Sequence, residues 1–223
     1  MNIEKVVMKK ISYHIILVIM IAAMPDNAFA QAVDGKSVLE KTSQIYKRWE
    51  GMDIRFTTSV RSDKNGISES FEGTIAMKDD KFVLETPDMK TWFDGITQWT
   101  YMSRTGEVNV ITPSGSDLQL LNPMILLQSY QKDFNVSYIG ESTSANAKTA
   151  YDVALIPRKK DDIEKIELQI EKSTSLPVKL VVTMHNDMRN VIHVKTIKEA
   201  AFADDIFTFP ENEYPDAELI DLR

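Results

Sequence analysis

Between Gly35 and Glu50 the apolar residues recur at helical spacing. Val38, Leu39, Ile45, Tyr46 and Trp49 share one side of "DGKSVLEKTSQIYKRWE", and Gly51 supplies the stop. After Gly51 the period changes to two. "MDIRFTTSV" puts Ile54, Phe56 and Val60 on one face, "DKNG" (Asp63–Gly66) signals a turn, and the returning strand aligns Phe71, Gly73, Ile75 and Met77. "DDKFVLE" opens a further strand with Phe82 and Leu84, and "SRTGEV" (Ser103–Val108) turns the chain into "VNVI". After a helical interruption, "VSYIG", "YDVALIP", "EKIELQIE", "PVKLVVTMH" and "VIHVKTIK" read as five more strands, with "NDMRN" (Asn186–Asn190) joining the last two. Short antiparallel strands linked by local turns predict a large curled sheet or barrel.

Two stretches carry more apolar surface than a simple sheet needs. In "TWFDGITQWTYMS" (Thr91–Ser103) a turn at Asp94-Gly95 would set Phe93 opposite Ile96 and Trp92 opposite Thr97. Trp92, Trp99 and Tyr101 then share one face, and Met89, Phe93, Ile96 and Met102 the other. A sheet apolar on both faces must be covered on both, by protein or by ligand. The second stretch is the interruption itself, "SDLQLLNPMILLQSYQKDF". Asn122-Pro123 is a helix start, because Pro suits the first helical position and Asn can cap it. Its apolar residues, Leu118 to Leu127 and Tyr130 among them, cover more than one helix face, whereas a surface helix needs one stripe. Two readings stay open: a plug in a barrel core, or a lid over an apolar cavity.

The N-terminus changes the picture from fold to compartment. Lys5, Lys9 and Lys10 precede the short apolar run "IILVIMIAAM" (Ile15–Met24), then Pro25, then Ala28-Phe29-Ala30. That is the pattern of a secretory signal with cleavage expected after Ala30. The apolar run is about half the length that a bilayer span requires. The chain has no Cys, so it has neither a disulfide nor the lipidated Cys of a lipoprotein. Removing Lys5, Lys9, Lys10, Glu4 and Asp26 turns 26 basic and 33 acidic residues into 23 and 31, a net of −8. Such a balance argues against nucleic acid and against anionic membrane surfaces as partners. No linker or repeat divides residues 31–223, which are expected to form one domain and to act as a monomer.

Catalytic and metal chemistry find little support. His14 leaves with the signal, and His185 and His193 on neighbouring strands read as exposed or core-edge side chains. There is no Cys nucleophile, no G-x-S-x-G elbow and no H-E-x-x-H. "KKDDIEK" (Lys159–Lys165) is acid-rich without the glycine and spacing of a calcium loop, and reads as a solvated turn. The expectation is a protein that is not an enzyme and uses no cofactor.

Several motifs, in order along the chain, resemble the LolA-type outer-membrane lipoprotein carriers. "FDGITQWTY" matches a D-G-x-T-x-W-x-Y core; Phe71-Glu72-Gly73 looks like the strand before the family's "K-x-P" corner; "NPMILL" sits where the family starts its lid helix. "DDIFTFPENEYPDAELID" (Asp204–Asp221) is similar to the family's ending, with Pro210-Glu211-Asn212 in place of P-x-G. The resemblance implies an α+β, mainly antiparallel β fold: an unclosed half β-barrel with helices forming a lid over an apolar cavity. It also implies a periplasmic carrier that takes acyl chains of lipoproteins from an inner-membrane releasing transporter to an outer-membrane acceptor. The alternative is a periplasmic lipid- or glycolipid-binding or envelope-stress sensing module on the same fold.

On that reading the lipid-binding lining is drawn from Ile54, Phe56, Phe71, Ile75, Phe82, Leu84, Trp92, Trp99 and Tyr101, faced by Met124, Leu127 and Tyr130 from the lid. One departure matters. Where the family has an Arg after the corner Lys, here Lys78 is followed by Asp79 and Asp80, and Asp cannot donate to a lid carbonyl. Lys78 or Arg55 is expected to substitute, or packing alone holds the lid.

Overall fold

The computed structural model describes residues 33–113, 126, 130–160 and 162–223. The chain enters through helix α1 (Gly35–Arg48), which buries Val38, Leu39, Thr42 and Tyr46 along one stripe. Gly51 then lets the chain turn into the sheet. A Cβ there would stand 2.6 Å from the Met77 carbonyl oxygen and 2.8 Å from that of Ala200, so no larger residue fits between these strands.

Twelve strands among the described residues form a single sheet. They are β1 (Met52–Ser62), β2 (Ile67–Lys78), β3 (Lys81–Glu85), β4 (Met89–Phe93), β5 (Gln98–Met102), β6 (Glu107–Ile111), β7 (Phe134–Thr143), β8 (Thr149–Pro157), β9 (Ile163–Glu171), β10 (Pro177–Met184), β11 (Arg189–Glu199) and β12 (Glu218–Asp221). Their spatial order is β12-β6-β5-β4-β3-β2-β1-β11-β10-β9-β8-β7, so among the described residues β7 and β12 are the two edges and the sheet does not close. Every pairing is antiparallel except β12 with β6.

The expected strands are all present, in the expected order. Three of the turns that join them use residues that tolerate a left-handed backbone, Gly66 and Gly106 at φ of +63° and +73° and Asp187 at 72°, whereas Ala147 and Ser175 take φ of 58° and 55° in two others. Strand β1 is the hinge of the topology, pairing with β2 on one side and, over a long connection, with β11 on the other. A bulge between Arg55 and Phe56 leaves Lys195 of β11 without a register partner. Such a bulge bends its strand and increases the local twist.

One face of the sheet, here called inner, carries α1. A single buried cluster spans it from Phe82 and Phe93 on one arm to Val153, Leu155 and Ile166 on the other, with Leu39 and Tyr46 of α1 between them. Two arms distant in strand order share one core only because the sheet curls. Leu126 and Tyr130, each in helical conformation, also join this cluster.

The segment after β11 crosses to the other, outer face. It runs through short 3-10 turns at Asp204–Phe207 and Glu211–Glu213 and ends as β12 beside β6.

Candidate functional site

The inner face is the sequence-predicted lining in most of its members. Ile54, Ile75, Phe82, Leu84 and Tyr130 belong to the central cluster, and Phe56 packs against it. Phe71, directly across from Thr58, shares this face by strand parity and is half-buried. Met124 and Leu127 lie outside the described residues, as does the expected signal peptide. Tyr130 ties the helical turn before β7 to α1: its hydroxyl donates to the Lys36 carbonyl at 3.5 Å and accepts from Gln131 Nε2 at 3.2 Å. Helix α1 is itself anchored by Thr42, whose hydroxyl donates to the Ser175 carbonyl at 2.8 Å.

Three members stand elsewhere. Trp92, Trp99 and Tyr101 lie on the outer face, in a separate cluster with Val83, Val108, Val110, Phe209 and Tyr214. Phe209 and Tyr214 meet the Trp92 ring edge-on at 5.3 and 5.6 Å, and Tyr214 lies 4.7 Å from the Tyr101 ring. Contrary to the expected lining, these aromatics therefore do not share a face with Ile75 and Phe82. Across β3 and β4, Phe82 is opposite Phe93, with ring centroids 5.5 Å apart, and Val83 is opposite Trp92. Phe93 keeps the inner position, and Trp92 must point outward.

The hairpin register also differs from expectation. Phe93 pairs with Gln98 and Trp92 with Trp99, leaving residues 94–97 as the connection. Asp94 explains the wider loop, since its carboxylate accepts from the Ile96 and Thr97 amides, both at 2.8 Å. Ile96 is left 73% exposed in that loop. The shift moves the pairing by two residues, so the expected division of Trp92 from Phe93 by face survives it.

Lys78 holds the C-terminal segment. Its ammonium donates to the Phe202 carbonyl at 3.1 Å and to Asp204 at 2.8 Å, and Lys81 donates to the other Asp204 oxygen at 2.9 Å. These two lysines pull the Asp204 carboxyl down to about 2. Arg55 is exposed. Below this clamp an open groove of about 620 Å³ runs between the segment and the outer face, floored by Thr74, Ala76, Val83 and Trp92 and walled by Ile206, Thr208 and Phe209.

Beyond the apolar cluster, the inner face changes character across β4 to β6. Thr91, Thr100 and Asn109 form a direct row on three successive strands, and Gln98 stands beside them between Phe93 and Ile111. The Thr91 and Thr100 hydroxyls share a hydrogen bond at 3.2 Å, and Gln98 Nε2 donates to Thr100 Oγ1 at 3.2 Å. Gln98 is 8% exposed, and its Oε1 has no partner. Sequence reasoning passed over these residues. Their signal was the polar half of the alternation in "MKTWF" and "QWTYM", set aside in favour of the aromatic half.

The histidines do not converge. His193 stands opposite Lys179 and Thr57 in the sheet, its pKa lowered by burial and then by Lys179 and Lys195. His185, past the end of β10, lines a charged depression of about 490 Å³ with Arg61, Lys64, Glu164, Asp187 and Arg189. No group of metal-ligating side chains occurs among the described residues, and no described helix is long and apolar enough to cross a membrane.

An unclosed antiparallel sheet curled round a helix-covered apolar face defines a half-barrel class of protein. The profile of the family described as outer membrane lipoprotein carrier protein LolA matches residues 27–185. The chain belongs to that family. An uncharacterised conserved protein from Thermus thermophilus superposes with a TM-score of 0.52 at 12% identity, covering 83% of this chain and 98% of its own. A LolA superfamily protein from Nitrosomonas europaea gives 0.46 at 14%, over 80% and 99%. The Pseudomonas aeruginosa MucA/MucB complex gives 0.40 at 16%, over 79% and 61%. No curated protein sequence matches significantly.

Proposed function

We propose that this chain is an exported, non-catalytic carrier that holds the acyl chains of a lipoprotein against its inner face and conveys them across the periplasm to the outer membrane. The carrying observation is the continuous apolar cluster shared by the curled sheet, α1 and Tyr130 in a family of lipoprotein carriers. Burying one methylene is worth about 0.8 kcal/mol, so a long acyl chain offers on the order of 10 kcal/mol before costs. Carriage needs that apolar area and no covalent step. Release needs a closed, ligand-free state that competes with the bound one, which a core able to repack on itself supplies. The N-terminal thirty residues act as the export signal, and the partners are an inner-membrane releasing transporter and an outer-membrane acceptor.

The test is recovery of cargo. The full chain is expressed in a Gram-negative host, purified from the periplasm under detergent-free conditions and analysed by mass spectrometry. Acylated lipoprotein bound in stoichiometric amount is the expected result, with an intact mass showing cleavage after Ala30. A free lipid or glycolipid in its place transfers the reading to a lipid-binding module. A preparation free of any acyl group overturns it.

A further inference from the structure

We infer that the Gln98–Thr100–Thr91 row on the inner face is a polar station for the amide linkage that joins an acyl chain to its cargo. The inference deepens the carrier reading and rests on it.

An acyl chain alone asks for an apolar surface only. Here the inner face is apolar on β1 to β3, where it carries Met52, Ile54, Ile75, Met77, Phe82 and Leu84. On β4 to β6 a polar row, Thr91, Thr100 and Asn109 with Gln98 beside it, is set between the apolar Met89–Met102 pair on one side and Phe93 and Ile111 on the other, and the reason lies on the other side of the sheet. Strand β6 turns Val108 and Val110 outward to meet Trp92 and Phe209, so alternation places Asn109 inward. The same alternation on β4 and β5 turns Trp92, Trp99 and Tyr101 outward and leaves Thr91, Gln98 and Thr100 inside. The outer aromatic cluster thus has a polar counterpart on the carrier face.

Within that row one group is incomplete. Thr91 is 2% exposed and shares its hydroxyl hydrogen bond with Thr100; Gln98 gives one amide atom to Thr100 and keeps the other buried and unpartnered. Buried side-chain amides are nearly always satisfied, so an orphan beside a chain-binding surface marks a place for a ligand atom. An N-acyl amide carries both a donor and an acceptor, so it completes Gln98 whichever end of the side-chain amide faces it. Its chain then runs over the apolar β1–β3 surface while its linkage sits at Gln98. Tyr46 has an orphan hydroxyl too, but lies within the apolar cluster, and the orphan oxygen of Asn190 stands between Val60 and Val182 in the sheet. Among the described residues, only Gln98 combines the orphan with a polar row.

The experiment uses two synthetic pentapeptides with the same sixteen-carbon chain, one joined through an N-terminal amide and one through a cysteine thioether, titrated calorimetrically into the purified, lipid-stripped protein. The expected result is about tenfold tighter binding of the amide-linked peptide, equivalent to about 1.4 kcal/mol. Gln98→Met should lose that preference while binding the thioether peptide as the unaltered protein does, and Thr100→Val should reduce it. Equal affinities for both peptides in the unaltered protein, or a preference that survives Gln98→Met, overturns the station and leaves the carrier reading standing. Failure of both peptides to bind the unaltered protein sinks both readings. Unchanged thioether binding by Gln98→Met also serves as the folding control.

Discussion

The ring of Phe56 lies across the backbone of Gly73, its partner on the adjoining strand, so closely that a Cβ at residue 73 would stand 2.5 Å from the ring's Cζ. The glycine is required by the approach of the ring and of the Glu85 carbonyl oxygen at 3.0 Å. This contact lies where β1 passes from the Arg55 bulge into the central cluster. Gly73→Ala should lower the denaturation free energy by about 1–3 kcal/mol through overpacking. In Phe56→Leu the same substitution should cost less, and a double-mutant cycle in urea reads the difference. An equal cost in both backgrounds would mean that the Glu85 carbonyl, rather than the ring, sets the limit.

The C-terminal segment is the cover of the outer aromatic face. Phe209 is 5% exposed and touches Trp92, while Tyr214 bridges Trp92 and Tyr101. Phe209→Ala should therefore cost about 3–5 kcal/mol, the range for a buried Phe. It should also move tryptophan emission to longer wavelength as Trp92 and Trp99 gain water. Emission unchanged at full destabilisation would show that the segment stays seated without its anchor.

Acid should loosen the same segment. Lys78 and Lys81 hold the Asp204 carboxyl at about 2, below its ordinary value of 3.8. A carboxyl depressed in the folded state contributes stability above its ordinary pKa and loses it as pH falls through the folded value. Asp204→Asn should be the less stable protein at pH 7, and the two should converge as pH falls from about 4 to about 2. Asp204 is largely exposed, so salt should shrink the difference at neutral pH. Parallel titrations of thermal midpoint check this, and a gap that persists below pH 2 contradicts it.

Removing a polar atom should help at Tyr46. Its hydroxyl is buried without a partner, and burial raises its pKa far above the ordinary 10. An unpaired buried hydroxyl costs roughly 1–3 kcal/mol, so Tyr46→Phe should stabilise the protein by about 1 kcal/mol. Because the folded phenol keeps its proton, that group's contribution falls as pH rises past its ordinary value. Tyr46→Phe should therefore also flatten the alkaline loss of stability. A destabilised Tyr46→Phe would reveal a hydrogen bond formed in solution.

Much of the scaffold was legible along the chain. Helix α1, the "DKNG" turn and all eleven strands through Glu199 follow from apolar spacing and turn residues, because a period of 3.6 or 2 is a local property. The inner assignments of Ile54, Ile75, Phe82 and Leu84 were legible for the same reason. The pairing of β1 with β11 was not, since their alternations are compatible with several neighbours and only the curl of the sheet selects one. The parallel β12 was likewise hidden: "ELID" is short, and its parallel partner β6 lies far back along the chain.

The alternation by itself determined that Trp92, Trp99 and Tyr101 oppose Phe93 and Met89, a division that held even when the hairpin register moved by two. It could not say which side was inside. Both halves were apolar enough to be core, and both are: Phe93 against Phe82, and Trp92 against Phe209 and Tyr214. The decision came from a segment more than a hundred residues further on, which folds back, pairs beside β6 and covers the aromatics. Once that face was occupied, the polar positions Thr91, Gln98 and Thr100 had to turn inward. A strand's period is written in its own residues, but the sign of its faces belongs to whatever packs on them.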